Sequence, residues 1–390
     1  MSEDQPKEYA LGVLELDSQG SPPFTEAAYC RKLCKIGRKY GVRVIVFSPR
    51  WVHWHDLTVS GYVYGAHGWA QRTVPLPSLL YDRCAYSNSN QYQRSRIAIA
   101  RMIRDANVSL LGIGLRGKWD VYQSLSKEPS LLDILPPTRL FAGAGSLADQ
   151  LNEYGGDLFL KPHGGTHGKS TIHVRRLFSN DTAAGNGRDA SFVGAYLQLR
   201  GRDGRNRPIH RTFTHPGEGL KWIARFIGKR KFIVQPYLTL ETQAGEPFDI
   251  RVLMQKNEKG RWSFTGMAAR VGRQHSVTSN LHGGGHAVPV VPFLESQFEP
   301  EHVQRLAQQL HSYSDSIPPI LEARHGRLTE VGLDFGIDRE ARLWLLEVNS
   351  KPGRSVFSQT GEQQAAIKSV ENPILYARYV MVRYLRRVSP

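Results

Sequence analysis

The chain has 390 residues, of which 40% are apolar, 10% aromatic and 22% charged, a composition typical of a globular protein with more than one domain. It contains no run of about 18 apolar residues, so the sequence predicts no membrane-spanning helix. The net charge of +16 favours anionic partners such as nucleotides, phosphate polymers, nucleic acids or acidic peptides.

In chain order, the first elements predict a βαβ unit, with strands at Tyr9–Leu16 and Val42–Phe47 and a helix at Thr25–Tyr40 between them. A helix is expected near Gln91–Asp105. The segment Ser109–Ser126 then predicts a strand, a glycine turn and a further helix.

The region from about Gly155 onward is rich in short alternating runs, which predict strands. Two or three helices are expected between Glu299 and Ala323, and a final helix from about Gln363 to Arg386. Between these helices, Leu328–Asp338 and Arg342–Ser350 predict an antiparallel pair of strands.

The N-terminus and the cysteines bear on the compartment. The first ten residues are polar and acidic and lack the basic and apolar regions of a secretory signal, so we expect a cytoplasmic protein. Three cysteines, an odd number, fit a reducing environment. Cys30 and Cys34 on a predicted helix, and the alternating His53 and His55, each offer half of a metal site, although packing is the simpler interpretation of both pairs.

A glycine-rich stretch, HGGTHGKS, occupies residues 163–170. Its end resembles a phosphate-binding P-loop, but His163 stands where that motif needs glycine, and alternating β-branched residues follow where it needs a helix. We therefore predict a hairpin loop whose backbone N–H groups close over phosphates, with Lys161 adding a charge from the preceding strand. An ordinary glycine-rich hairpin is the alternative.

The segment LWLLEVNSKPG, residues 343–353, ends a buried strand with Glu347 and Asn349 on one face. Asp334 precedes them on the other strand of the predicted pair, so pairing across the turn would bring all three side chains together. Mg²⁺ prefers such oxygen ligands, and two buried carboxylates need a compensating cation. Solvated strand ends without a metal are the alternative.

These residues resemble the ATP-grasp carboxylate–amine ligases, whose metal signature is an acidic residue, a gap and Glu-x-Asn. The resemblance covers roughly Gly114 to the C-terminus. Several segments, IVQPYL and SNLHGGG among them, are similar to the RimK-like ligases that add glutamate to protein or peptide ends. The whole chain looks most like the YheC/YheD endospore coat-associated family.

The resemblance implies an α/β protein with the ATP-grasp fold, in which two α+β lobes surround a nucleotide cleft behind an N-terminal βαβ domain. The implied domains are residues 1–115, residues 116–240 with the glycine-rich loop, and residues 241–390 with the magnesium site.

The resemblance also implies ATP and Mg²⁺ as cofactors, with Asp334, Glu347 and Asn349 as the metal ligands. It implies a catalytic role for Arg251, Arg270 and Asn280, because arginines stabilise a transferring phosphoryl group or an oxyanion. The expected nucleotide contacts are two lysines, the glycine-rich loop and a hinge segment: Lys118, Lys161, Gly164, Gly165, Thr166, Gly168, Lys169, Ser170, Gln235, Pro236, Tyr237 and Leu238.

The implied activity is ADP-forming ligation of a carboxylate to an amine through an acyl phosphate, in a cytoplasmic or spore-associated protein. The substrate would be a small molecule or a peptide. The alternatives are an ATP-binding endospore coat-associated protein with little turnover and a polyanion binder that uses the basic surface. We expect no membrane-spanning segment and no nucleic-acid partner, and the sequence leaves the substrates and the oligomeric state open.

Overall fold

The computed structural model describes residues 9–86, 88–165, 168–178, 194–274 and 284–383. These residues form three β-sheets in succession along the chain. The strands are β1 (Tyr9–Leu14), β2 (Val42–Phe47), β3 (Val52–His53), β4 (Thr58–Gly65), β5 (Gly68–Pro75), β6 (Leu79–Asp82), β7 (Ser109–Leu110), β8 (Arg139–Leu140), β9 (Asp157–Pro162), β10 (Ile172–Phe178), β11 (Ala195–Arg202), β12 (Pro208–Phe213), β13 (Phe232–Pro236), β14 (Phe248–Lys256), β15 (Trp262–Val271), β16 (His286–Val288), β17 (Glu330–Ile337) and β18 (Leu343–Asn349). The α-helices are α1 (Ala27–Lys39), α2 (Ser89–Asp105), α3 (Lys118–Leu125), α4 (Ala144–Glu153), α5 (Pro216–Ile227), α6 (Val290–Gln297), α7 (Pro300–His325), α8 (Ser355–Gln359) and α9 (Gln363–Arg383).

The N-terminal sheet is built on the predicted βαβ unit. Strand β1 pairs in parallel with β2 on one side and with β6 on the other, and α1 connects β1 to β2. Both faces of these strands are covered, which explains why they are nearly continuous runs of apolar residues. The hairpin β4–β5 extends the sheet in antiparallel fashion.

The second sheet, with strand order β12-β11-β10-β9-β13-β8, forms the N-lobe together with α4 and α5. Leucines alternate along its strands, for example at Leu158 and Leu160 and at Leu197 and Leu199, and all four are buried against the two helices. Because side chains alternate between the faces of a strand, the intervening residues, including Lys161, lie on the opposite face.

The third sheet, with strand order β16-β15-β14-β17-β18, forms the C-lobe together with α6 and α7. The predicted antiparallel pair is β17 and β18. The expectation of two or three helices between Glu299 and Ala323 is wrong, because the single helix α7 spans this region with Pro318 and Pro319 inside it. A proline removes a helical hydrogen bond, but burial of an apolar stripe in the lobe core stabilises the helix across this point.

Two helices pack outside the domain in which the sequence places them. Helix α3 contributes Val121 and Leu125 to the C-lobe core, although it lies in the segment assigned to the N-lobe. Helix α9 contributes Ile374 and Val380 to the core of the N-terminal sheet. The limits 1–115, 116–240 and 241–390 therefore stay a prediction. None of the helices in the described ranges is long and apolar enough to cross a membrane.

Candidate active site between the two lobes

Lys161 joins the N-lobe to the C-lobe. It lies on β9, and its ammonium donates a hydrogen bond to the backbone oxygen of Leu346 on β18 at 3.0 Å. Burial lowers its pKa from 10.5 to about 8, while the neighbouring Glu347 carboxylate opposes this fall. A buried ammonium held against the opposite lobe is suited to binding an anion that enters between the two sheets.

Lys118 is the first residue of α3 and contacts both the glycine-rich loop and the acidic strand. Its Nζ lies 2.8 Å from the backbone oxygen of Gly165 and 3.0 Å from Oε1 of Glu347. Its backbone N–H donates to the oxygen of His163 at 2.9 Å. A Cβ at Gly117 would overlap the His163 ring, so this approach of α3 to the loop requires glycine.

The glycine-rich loop connects β9 to β10, which pair in antiparallel fashion. This agrees with a hairpin loop and not with a P-loop followed by a helix. Gly165 and Gly168 have φ angles of 129° and 66°, which L-residues rarely adopt. Ser170 is buried, and its hydroxyl accepts a hydrogen bond from Arg230 at 3.0 Å, so it supports the loop from within the lobe. The remaining predicted loop residues are the exposed Gly164 and Lys169, and Thr166, which lies outside the described residues.

The three predicted metal ligands lie together on β17 and β18. Asp334 pairs directly with Glu347, and Gly332 on the same strand pairs with Asn349. The Nδ2 atom of Asn349 lies 3.3 Å from Oδ2 of Asp334. The register shifts between Asp334 and the next residue, so Leu346 is the extra residue of a bulge, and its carbonyl is the one that accepts from Lys161.

Arg251 and Arg270 are held by aspartates. Arg251 makes a two-pronged ion pair with Asp334, and Arg270 makes one with Asp249 at 2.6 and 2.8 Å. Arg270 also lies 3.1 Å from Asp334. Burial would raise the pKa of Asp334, but the two arginines hold it below its usual value. Sequence reasoning missed Asp249, although its alternation with Arg251 in FDIR indicates a shared face of β14.

The hinge segment already uses some of its hydrogen-bonding groups within the protein. The Nε2 atom of Gln235 donates to the Thr138 hydroxyl at 2.7 Å, and the N–H of Tyr237 donates to the oxygen of Asp157 at 3.0 Å. Proline has no N–H at position 236. Contacts from this segment to a nucleotide would therefore come from its carbonyl groups and from residue 238, which is half-buried. Asn280, the remaining predicted residue, lies outside the described residues.

The N-terminal sheet is tied to the turn that follows the Glu-x-Asn motif, a contact that sequence reasoning missed. Lys351 in this turn pairs with Asp82 at the end of β6 at 2.7 Å. The buried Arg83 pairs with Glu330 of β17 at 3.0 Å and donates to the oxygen of Pro352 at 3.4 Å. The sequence signal for this contact was the basic Lys351, two positions after the motif.

The two other metal hypotheses gain no support from the geometry. Cys30 and Cys34 are buried, and the Cys30 thiol donates to the Glu15 carboxyl at 3.7 Å. His53 hydrogen-bonds to the Ser60 hydroxyl at 2.8 Å. In the part of the chain that the structure describes, no group of three His, Cys, Asp or Glu residues is arranged to hold a metal. The Asp334, Glu347 and Asn349 set has two carboxylates and an amide, so it falls outside this statement.

Comparison with known proteins identifies the family. A family model of YheC/D-like ATP-grasp proteins matches residues 107–380. The chain belongs to the YheC/D-like ATP-grasp family. This match confirms the ATP-grasp fold that the sequence resemblance implied.

Two relatives agree with this YheC/D-like assignment, and a solved structure shares the fold. The chain is 28% identical to the endospore coat-associated protein YheC of Bacillus subtilis (strain 168) over 356 residues, or 91% of each chain. It is 25% identical to YheD of the same organism over 360 residues, which are 92% of this chain and 75% of YheD. The crystal structure of D-cycloserine synthetase DcsG matches with a TM-score of 0.55 at 10% identity, covering 95% of this chain and 99% of DcsG, which shows the shared fold.

Proposed function

We propose that this protein is an ATP- and magnesium-dependent ligase that joins a carboxylate to an amine and forms ADP and phosphate. The observation that carries the proposal is that two lysines contact the same segment of β18 between the two sheets. Nζ of Lys118 lies 3.0 Å from Oε1 of Glu347, and Nζ of Lys161 lies 3.0 Å from the backbone oxygen of Leu346. Two cations beside a carboxylate and a glycine-rich loop are what a nucleotide triphosphate with a bound cation requires.

The residues present fit a magnesium ion. Asp334, Glu347 and Asn349 supply only hard oxygen ligands once the Asn349 amide presents its oxygen, and side-chain amides are free to take either orientation. Asp334 is shared with Arg251, so the acid would remain ionised at neutral pH whether or not a metal is bound. When bound, the ion would neutralise charge on the β- and γ-phosphates.

The chemistry would proceed in two steps. A carboxylate oxygen of the substrate bonds to the γ-phosphorus of ATP as the bond from that phosphorus to the bridging oxygen breaks, which releases ADP and leaves an acyl phosphate. The amine nitrogen then bonds to the acyl carbon, the carbon–oxygen bond to phosphate breaks, and the nitrogen loses a proton. Carboxylates need this activation because their oxygen is otherwise a poor leaving group.

The side chains of this protein would contribute position and charge. Lys118 and Lys161 offset phosphate charge, and the loop that holds Gly165 excludes water from the acyl phosphate, which hydrolyses easily. Arg251 and Arg270 are already oriented by aspartates, so they need little reorganisation to stabilise charge that develops on the reacting oxygens.

The test is incubation of the full chain with ATP, Mg²⁺ and pooled amino acids and peptides, with ADP release and new product masses scored together. We expect both in the parent protein and neither in Glu347→Gln, which keeps the side-chain size but removes one ligand charge. ADP formation at the parental rate in Glu347→Gln would contradict the proposed site.

The relatives YheC and YheD carry the name endospore coat-associated protein, which supports a second candidate, a spore-associated nucleotide-binding protein with little turnover. ATP-induced stabilisation without ADP release for any substrate pool would favour it.

A further inference from the structure

The N-lobe carries a concentration of positive charge that the proposed chemistry does not use. Residues 194–238 contain ten lysines and arginines but two acidic residues, so this segment supplies +8 of the net charge of +16. One of its two acids, Asp203, is already paired with Arg207 at 2.8 Å. This short segment alone carries a net charge at the upper end of the range, about 2–8, that keeps a whole small domain soluble.

The strand register puts part of this charge on the face of the sheet that carries Lys161. His173 on β10 pairs with Phe159 on β9 and with Arg200 on β11, and Arg200 pairs with His210 on β12. Cross-strand partners share a face, and Phe159 shares its face with Lys161 two residues later. The Cα atoms of Arg200 and Lys161 are therefore separated by roughly 12 Å, two strands across and two residues along.

More positive charge surrounds the end of the N-lobe that holds the glycine-rich loop. The β11–β12 turn contacts this loop, because the N–H of Ser170 donates to the oxygen of Asp203 at 3.2 Å. Arg205 is exposed in that turn. The exposed Lys231 lies beside the start of the loop. Its backbone oxygen accepts a hydrogen bond from the backbone N–H of His163 at 2.9 Å. We name four exposed residues of this region the basic rim: Arg200, Arg205, Lys229 and Lys231.

The basic rim is unneutralised within the described residues. None of its four members forms an ion pair there, although neighbouring arginines such as Arg207 and Arg230 are engaged by Asp203 and Ser170. Two of its members, Arg200 and Arg205, adjoin β12, whereas Lys229 and Lys231 directly precede β13 on the other side of the loop. Among the described residues, β12 is the edge strand of the sheet, and its outer side pairs with no other strand. An edge strand beside free cations fits an extended chain that carries carboxylates.

We propose that the basic rim binds an acidic polypeptide segment in extended conformation and that this segment carries the carboxylate that is ligated. The inference rests on the proposed ligase function and names its substrate class. An acidic peptide that crosses from β12 toward Lys161 brings a carboxylate to the phosphoryl-transfer site, while its other carboxylates bind Arg200 and Arg205 through paired hydrogen bonds.

An acidic peptide accounts for this face better than a single-stranded nucleic acid does. Binding of single strands relies on exposed aromatic rings that stack on bases. The aromatic residues of this sheet face in the described ranges, Phe159, Tyr196 and Tyr237, are each only half-exposed or less, and Tyr237 is stacked on His173 at 3.6 Å between ring centroids.

The experiment compares two double charge reversals in the full chain. Arg200→Glu with Arg205→Glu removes half of the basic rim. Lys221→Glu with Arg225→Glu makes the same change in net charge on the exposed side of α5, behind the sheet, and serves as the matched control. The probes are a fluorescein-labelled oligoglutamate, an oligoglutamine of the same length and a single-stranded oligothymidylate of the same charge, measured by anisotropy without ATP.

We expect the parent and the α5 variant to bind oligoglutamate in preference to both other probes. The rim variant should bind it at least about tenfold more weakly, which corresponds to the loss of one charge-assisted hydrogen bond. Equal losses in both variants, or tighter binding of oligothymidylate, would overturn the proposal. If the rim variant fails to fold by thermal melting, Arg200→Gln with Arg205→Gln replaces it.

The same samples separate this inference from the ligase proposal. If oligoglutamate does not bind but ADP forms with another carboxylate, the substrate class is wrong and the ligase function stands. If oligoglutamate binds at the rim but no substrate supports ADP formation, the binding surface stands and the ligase function is wrong.

Discussion

Replacement of Lys161 by methionine should stabilise the metal-free protein while removing nucleotide binding. Lys161 is 9% exposed, and its ammonium has one described hydrogen-bond partner, the oxygen of Leu346 at 3.0 Å. Methionine has a similar length and no charge, so Lys161→Met removes the burial of an ammonium with little change in packing.

The magnitude follows from the pKa. The unfolded chain binds this proton with a pKa of 10.5 and the folded protein with a pKa of about 8, a difference that corresponds to about 3 kcal/mol. Between these two pH values the unfolded state holds more protons, so the free energy of unfolding of the parent rises with pH across this window. Below about pH 8 the folded protein bears the full free-energy cost of burying the Lys161 ammonium. Loss of the hydrogen bond to Leu346 offsets about 1 kcal/mol, which leaves a net gain of about 2 kcal/mol at pH 7 for Lys161→Met.

The assay is urea unfolding from pH 7 to pH 10.5 in EDTA, without nucleotide. The difference between variant and parent isolates Lys161 from other titrating groups, and it should shrink as the pH rises. Lys221→Met on the exposed face of α5 is the matched control and should change stability by no more than about 0.5 kcal/mol. ATP with Mg²⁺ should raise the melting temperature of the parent and of the control, but not that of Lys161→Met.

A variant that is less stable than the parent at pH 7, or one whose stability difference does not change with pH, would refute the argument that a buried charge is held here at a cost. Equal stabilisation by ATP in parent and variant would show that Lys161 does not bind phosphate.

The remaining predictions concern the metal ligands, the packing of α3 against the glycine-rich loop, and the buried acid Glu15. Asn349→Ala should reduce ADP formation, and its combination with Glu347→Gln should cost less than the sum of the single changes, as a double-mutant cycle would measure. Gly117→Ala should destabilise the protein by about 1–3 kcal/mol in urea unfolding, because the added methyl overlaps the His163 ring, whereas Gly145→Ala, which meets no neighbour, should not. Burial raises the pKa of Glu15 from 4.5 to about 8, so the unfolded state loses this proton first and stability falls with rising pH across that window. Glu15→Gln should remove this fall in a pH series, and an unchanged slope would contradict the buried-acid assignment.

Local sequence patterns were sufficient for the parts of the site that lie on neighbouring strands. Asp334 and Glu347 flank one turn, so their pairing across β17 and β18 follows from hairpin geometry and alternation. The hairpin loop after Lys161 was predictable for the same reason, since the residues that follow it alternate in a way that a helix does not.

Contacts between distant segments could not be predicted in this way. The ion pairs of Arg251 with Asp334 and of Arg270 with Asp249 depend on the order of β14, β15 and β17 in the sheet, which local alternation does not determine. The packing of α3 and α9 onto other domains depends likewise on which apolar surfaces remain uncovered after the sheets form.

The net charge of the side chains between the lobes stays small both without and with a bound nucleotide, so neither state carries a large electrostatic cost. The cations exceed the anions by one in a set that comprises Lys118, Lys161, Arg251 and Arg270 against Asp249, Asp334 and Glu347. ATP with one magnesium carries a net charge of about −2, so binding would change the total by this amount and reverse its sign without a large excess in either state. Besides the Asn349 amide, Lys118 must change its partner, because its ammonium now contacts Glu347, the proposed metal ligand. An exchange of the Glu347 carboxylate for a phosphate oxygen would free that carboxylate for the metal at the same moment, so nucleotide and magnesium are expected to bind together and each to raise the affinity for the other.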